Sequence, residues 1–206
     1  MDSPARLFLL RHAEVEERYQ RIFGGRIDMD LSPFGHEQAE ALAEYLRRFS
    51  FDAIYASPMR RARQTLDKLL QEQRETPIVI EELREVDFGA WTGLSWEEVK
   101  TRFNVSAFQW LDQLESGLIS GAEPMPEFRR RVDSALRTIL NNSSGRSIAV
   151  VCHGGVIRMI LSLLLELPFV KLSGFDVEYA SVTVVDHFPH KTEVQLLNFA
   201  PWRDIP

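Results

Sequence analysis

The stretch LFLLRHAE, residues 7–14, decides how the rest of the chain is read. Leu7, Phe8, Leu9 and Leu10 form an apolar run without polar alternation, the pattern of a strand covered on both faces. The run ends on Arg11 and His12, two side chains that are costly to bury. Ligands collect beyond the carboxyl ends of strands in open α/β sheets, so these two residues are expected where the sheet stops and a pocket begins.

Further strands are expected over 52–56, 78–80, 147–152, 179–188 and 194–199, with IYA and IAVVC again apolar without alternation. Helical patterns separate them. SPFGHEQAEALAEYLRRF, residues 32–49, carries Ala39, Leu42, Ala43 and Leu46 at helix spacing behind Ser32 as cap and Pro33 in the first turn. SPMRRARQTLDKLLQEQ, residues 57–73, repeats that opening with Ser57 and Pro58. SWEEVKTRF sets Glu98 three residues after Ser95, a capping box, and PEFRRRVDSALRTIL aligns Phe128, Val132, Ala135, Leu136 and Ile139 before the turn NNSSG. This order predicts a three-layer α/β/α sandwich with a mostly parallel central sheet, its last two strands forming an antiparallel edge. At 206 residues the chain is read as one domain, 1–206, in which the irregular segment 89–123, holding three of the four tryptophans, covers the mouth of a site.

Composition narrows the function. A hydrophobic fraction of 45% with 26% charged residues is that of an ordinary globular protein, and a net charge of -6 gives no electrostatic reason to bind nucleic acid or an anionic membrane. A single cysteine allows no internal disulfide and points to a reducing, cytoplasmic setting. The start MDSPARLFLL reads as a first strand and not as a signal peptide, and GVIRMILSLLLEL is too short and too interrupted by charge to span a bilayer.

Three expected strands end in chemistry-bearing groups: Arg11 and His12, then SPMRR, then CHGG. Histidines and arginines gathered at one rim make a cationic hollow suited to a phosphoryl group, since guanidinium forks match its oxygens and helix N-terminal amides add donors. Neutral imidazole is a competent nucleophile near neutral pH, with an unperturbed pKa of about 6.5. Arg61 is preferred to Arg60 because it stands four residues after Ser57 and four before Thr65, on the helical face of Thr65.

With these segments in order, the chain resembles the histidine phosphatase superfamily, which includes phosphoglycerate mutases and many small phosphatases. LLRHAE, GGRIDMDLSPFGHEQAEAL, YASPMRRARQT, ELREVDFGAWTG and VVCHGGVIR carry the resemblance over nearly the whole chain. It implies a phosphoglycerate mutase-like fold, His12 as phosphorylated nucleophile, Arg11, Arg61 and a protonated His153 around the phosphoryl group, and Glu85 as proton donor. It implies no metal and no cofactor.

Plainer readings stand beside these. Taken alone, Arg61 is a solvated helix residue and Glu85 a turn carboxylate. The glycines of HGG allow close backbone approach to an anion, with Gly154 beside the phosphate, or serve helix packing. Cys152 reads as a buried apolar residue and not a thiol nucleophile, His187 and His190 of HFPH as weak zinc candidates, and Asp28 and Asp30 as anchors of the loop before Ser32.

Two departures from the family pattern bear on substrate. Arg18 stands where the mutase-like members usually carry asparagine, placing an arginine near a phosphate oxygen or a second anionic group of the substrate. The stretch 94–128 is short beside the mutase insertion, which favours hydrolysis, and the cover, 89–123, offers Trp91, Trp96, Phe103, Phe108 and Trp110 as an apolar wall for a bulky leaving group or as packing between cover helices. The expected activity is hydrolysis of a small-molecule phosphomonoester, with mutase-type transfer and non-catalytic binding of a phosphorylated ligand as alternatives. A homodimer is left open.

Overall fold

Six strands form one sheet in the computed structural model, which describes residues 3–71, 75–106 and 109–205. They are β1 (Ala5–Arg11), β2 (Ala53–Ala56), β3 (Ile78–Val79), β4 (Ser147–Cys152), β5 (Val182–Phe188) and β6 (Lys191–Phe199). Their order is β3-β2-β4-β1-β5-β6; the first four run parallel, while β5 is antiparallel to β1 and to β6. This is the expected mixed sheet with its antiparallel edge.

The helices are α1 (Pro33–Leu46), α2 (Arg60–Leu70), α3 (Trp96–Phe103), α4 (Trp110–Glu115), α5 (Met125–Leu140), α6 (Gly154–Leu164) and α7 (Pro201–Asp204). The unbroken apolar runs are explained by two cores. On β1, Leu7 and Leu9 join one core while Phe8 and Leu10 join the other, and on β4 Ile148 and Val150 part in the same way from Ala149 and Val151. The first core includes residues of α5 and α6, and the second residues of α1 and α2, so the sheet lies between two helical layers.

Several boundaries differ from expectation for local reasons. Ser32 caps α1 by accepting from the Gly35 amide at 2.8 Å, and Ser95 and Glu98 complete the capping box of α3. Ser57 does not cap α2, whose N-cap is Met59; the Ser57 hydroxyl meets a buried imidazole instead. β5 starts at Val182 and not at 179, because 178–181 makes a turn in which Ala180 has φ +48° and the Ser181 amide bonds Glu178 O. β6 reaches back to Lys191, so the HFPH stretch is the end and tight turn of a hairpin; His187 Nδ1 there lies 2.9 Å from Thr192 Oγ1. Asp28 and Asp30 hold their loop to α2 by accepting from the Arg60 backbone amide and guanidinium, both at 2.8 Å. Residues 72–73 of the second expected helix and Phe108 lie outside the described residues. No helix among the described residues is long and apolar enough to cross a membrane.

Candidate active site

A cavity of about 330 Å³ opens beyond the carboxyl ends of β1 and β4. His12 enters it because the β1–β4 ladder runs one residue past the strand: the His12 amide donates to Cys152 O at 3.0 Å. Its ring is oriented from both ends. Nδ1 lies 2.8 Å from Ala13 O, which can only accept, so that nitrogen carries the proton. Nε2 is left with its lone pair, which accepts from Arg61 Nε at 3.1 Å. Burial, then the charges of Arg61 and Arg11, hold the His12 pKa well below its ordinary value, so the ring is a neutral base at neutral pH.

Arg61 is 2% exposed. Its other donors reach Ile27 O at 2.7 Å and Gly25 O at 2.9 Å, which fixes the guanidinium plane against His12. Thr65 is on the expected face: its hydroxyl donates to Arg61 O and accepts from the Ala13 amide, at 2.8 and 2.9 Å. Burial pushes the Arg61 pKa down to about 10, against the opposing pull of Glu85, and the group remains charged at neutral pH.

His153 precedes α6 and is fully buried, its ring centroid 5.1 Å from that of His12. Ser57 Oγ lies 2.7 Å from His153 Nε2 and also accepts from the Met59 amide at 3.3 Å. Where the serine hydroxyl donates to Nε2, the ring proton lies on Nδ1. Nδ1 has no hydrogen-bond partner among the described residues, and neither has the buried Nε of Arg11. Two unpartnered buried donors beside one imidazole are what an anion-binding floor requires. The resemblance implies a protonated His153 around a phosphoryl group; in the protein alone, burial first and then neighbouring groups, Arg61 foremost, push its pKa well below the usual value.

Arg11 is held by Val177 O at 2.5 Å and stacks over Tyr179, its guanidinium carbon 4.0 Å from the ring centroid. Glu85 stands at the far wall, where its two oxygens accept from the Val86 amide at 2.9 Å and the Gly155 amide at 3.1 Å. Residue 155 must be glycine for this contact, since a Cβ there would lie 2.5 Å from Glu85 Oε1. Gly154 also lines the cavity, and its missing side chain leaves room for Arg11 and Arg158.

His12, Arg11, Arg61, Glu85, His153 and Gly154 are thus brought together, and Arg18 is not. It sits on a single turn, Glu17–Tyr19, with its side chain 68% exposed, paired to Glu16 at 3.1 Å and laid over Tyr19. Tyr19 lines the cavity instead. Of the proposed aromatic wall, Trp96 and Trp110 line the cavity, whereas Trp91 is buried and packs on Phe103. Phe23, stacked 5.9 Å from Trp96, and Phe88 complete the wall, while Asp176 and Glu178 add carboxylates. Cys152 is buried in the core with its thiol pKa pushed up, as burial of a thiolate demands.

Arg158 was missed by reading the sequence. It lines the cavity, donates to Phe175 O at 2.9 Å, and burial and then Arg11 push its pKa down to about 10. Its position four residues after Gly154, on the same helix face, is the signal that pointed to it. Arg11, Arg61 and Arg158 make no ion pair within 4 Å among the described residues, while Glu85, Asp176 and Glu178 set three carboxylates in the same lining.

Fold and site define the class: a three-layer α/β protein with a two-histidine, arginine-lined pocket at the end of its parallel strands. The model of the histidine phosphatase superfamily (branch 1) matches residues 7–200, and the chain belongs to that superfamily. It is accordingly an enzyme of phosphatase type acting on small phosphorylated metabolites. It is 28% identical over 193 residues to phosphoserine phosphatase 1 of Hydrogenobacter thermophilus, covering 94% of this chain and 92% of that one. Identity is 33% over 195 residues, 94% and 95% of the two chains, to a second protein of that organism with the provisional name phosphoserine phosphatase 2. Adenosylcobalamin/alpha-ribazole phosphatase of Salmonella typhimurium is 28% identical over 200 residues, 96% and 98% of the two chains. The solved structure of a mycobacterial glucosyl-3-phosphoglycerate phosphatase shares the fold, with a TM-score of 0.82 at 24% identity over 97% of this chain and all of that one.

Proposed function

We propose that the chain is a phosphomonoesterase that works through a phosphohistidine on His12. The observation that carries this reading is the state of the His12 ring: its proton is committed to Ala13 O, and the unprotonated Nε2 keeps a lone pair, held by a hydrogen bond from Arg61 Nε, that substrate can claim. Nε2 attacks phosphorus and the ester P–O bond breaks. Glu85 gives its proton to the departing alcohol, and phosphohistidine is left. Glu85, now a carboxylate, takes a proton from water as that water attacks phosphorus; the P–N bond breaks, inorganic phosphate leaves and both groups return to their starting states.

Arg11, Arg61 and the Nδ1 proton of His153 stabilise the equatorial oxygens in both steps, and Gly154 leaves the space they need. Arg18 is outside this scheme, given its exposure and its pairing with Glu16. From the expected cover, Trp96 and Trp110 line one side of the cavity. With Phe23 and Phe88 they give the alcohol an apolar face, and Asp176 and Glu178 set hydrogen-bond acceptors near it. The relatives named for phosphoserine and alpha-ribazole esters support a small alcohol of this kind. The short 94–128 stretch supports transfer to water over transfer to a second sugar acid.

The test is rapid quench in alkaline denaturant after mixing with a labelled phosphoester, followed by mapping of the label. Label is expected on His12 and absent from His12→Ala. Turnover with no adduct at residue 12 overturns the mechanism, and label reaching an acceptor sugar acid faster than water replaces hydrolase by mutase.

A further inference from the structure

Arg131 of α5 lies outside the cavity lining, yet the donors of its guanidinium are divided between Glu123 and the backbone of the segment that carries Glu85. Nε and Nη2 grip the two oxygens of Glu123 at 2.6 and 2.8 Å. Nη1 donates to Glu82 O and to Arg84 O, both at 2.6 Å, and Nη2 also donates to Glu85 O at 3.3 Å. Five bonds use the five N–H groups that a guanidinium possesses. The pair is withdrawn from water, with side-chain exposures of 15% for Arg131 and 6% for Glu123.

Glu123 extends the grip in two directions. Its own amide donates to Asp87 O at 3.0 Å, just beyond Glu85. Its carboxylate also lies 3.4 Å from Arg26, in the loop whose Gly25 and Ile27 carbonyls hold Arg61. Nearby, the Ala90 amide donates to Ser120 O at 2.8 Å, and Gly89, at φ +51°, meets the 120–122 backbone so closely that a Cβ would stand 2.2 Å from Ala122 N. The backbone around Glu85 is therefore fastened to 120–123 and to α5 at several points. The Glu85 carboxyl group itself has, among the described residues, two hydrogen bonds, both from backbone amides.

We propose that Arg131, acting with Glu123, is a positioning residue for Glu85 in phosphoryl transfer. The inference rests on the reading of Glu85 as the proton donor. The guanidinium fork gathers three carbonyls that the 82–85 turn would otherwise point apart, and so sets where the Glu85 side chain leaves the backbone. Lysine, with three donors and no fork, cannot reproduce the arrangement even though it keeps the charge.

The test compares Arg131→Lys, Glu85→Gln and their double variant on aryl phosphates running from a dinitrophenyl to an unsubstituted phenyl ester, whose leaving groups differ in their need for a proton. Displacing a catalytic group by about 1 Å costs on the order of 100-fold, so Arg131→Lys is expected to slow phenyl phosphate about 30-fold or more. Dinitrophenyl phosphate should change less than about threefold, and phosphohistidine should still form on His12. On phenyl phosphate the double variant should be no slower than Glu85→Gln alone.

A loss equal across the series, with the wild-type dependence on leaving group, would mean that Arg131 serves folding only, and the proposal falls. Should Arg131→Lys fail to fold by circular dichroism, Glu123→Gln takes its place with the same expected steepening and the same refuting result. If Glu85→Gln itself shows no preference for the activated ester, the proton-donor reading has failed, a result separately visible from failure of Arg131.

Discussion

Replacing Gly155 by alanine sets the position of Glu85 against the stability of the fold. The new Cβ would stand 2.5 Å from Glu85 Oε1, 3.2 Å from its Cδ and 3.5 Å from Oε2. Ordinary contact begins near 3.4 Å, so the carboxyl group must retreat by roughly 1 Å and stretch the 3.1 Å bond from the Gly155 amide. A misplacement of that size costs about 100-fold, or about 2.7 kcal/mol of transition-state stabilisation, on any ester whose alcohol needs a proton.

The fold has no such conflict. The atoms in the way belong to the tip of a side chain, and residue 155 is the second residue of α6, where alanine is favoured over glycine by up to about 1 kcal/mol. Gly155→Ala is therefore expected to keep or raise its melting temperature while kcat on phenyl phosphate drops about 100-fold and kcat on dinitrophenyl phosphate drops only a few-fold. Thermal denaturation and steady-state kinetics on the two esters measure both halves. Full activity on phenyl phosphate, or a melting point several degrees lower with equal losses on both esters, refutes the placement of Glu85 against Gly155.

Two further outcomes follow from the histidines. His12 and His153 have folded pKa values depressed by burial and neighbouring cations, while the unfolded chain titrates near pH 6.5. Below that pH the unfolded state takes up protons that the folded state refuses, so stability present above about 6.5 is lost as pH falls, by up to about 1.4 kcal/mol per pH unit for each ring. Urea midpoints should fall more steeply with acid for wild type than for His153→Asn, and parallel curves would contradict the burial of a neutral His153. Ser57→Ala strips His153 Nε2 of its 2.7 Å partner; it should cost about 1–2 kcal/mol in urea denaturation and weaken inhibition by inorganic phosphate, and an unchanged inhibition constant would rule out the serine as the group that sets the imidazole tautomer.

Much of the architecture was legible because it is written in local patterns. Unbroken apolar runs marked β1 and β4 as strands covered twice, and Ser32, Ser95 and Glu98 marked helix starts that are capped as read. The start of β5 was shifted by a local turn at 178–181, whereas at Ser57 a local signal was overridden by a distant partner. Ser57 has the sequence context of a cap, but His153, 96 residues away, uses its hydroxyl. Arg18 follows a segment rich in site residues, yet the single turn that carries it faces outward and presents Tyr19 to the cavity. Arg131 is one of three consecutive arginines on an amphipathic helix, and nothing near it in the chain marks it as different from Arg129 or Arg130.

By itself the sequence determined the layers, the strands that end in charge, and the residue types at those ends, since periodicity and capping act over a few residues. Tertiary structure alone decided which of those groups meet. It set Arg61 against the unprotonated nitrogen of His12 across 49 positions, the Gly155 amide against Glu85 across 70, and Arg131 under the Glu85 backbone across 46. Burying these groups together makes their charges felt: away from water, each cation lowers the neighbouring imidazole pKa, and the outcome depends on a convergence that no local stretch encodes.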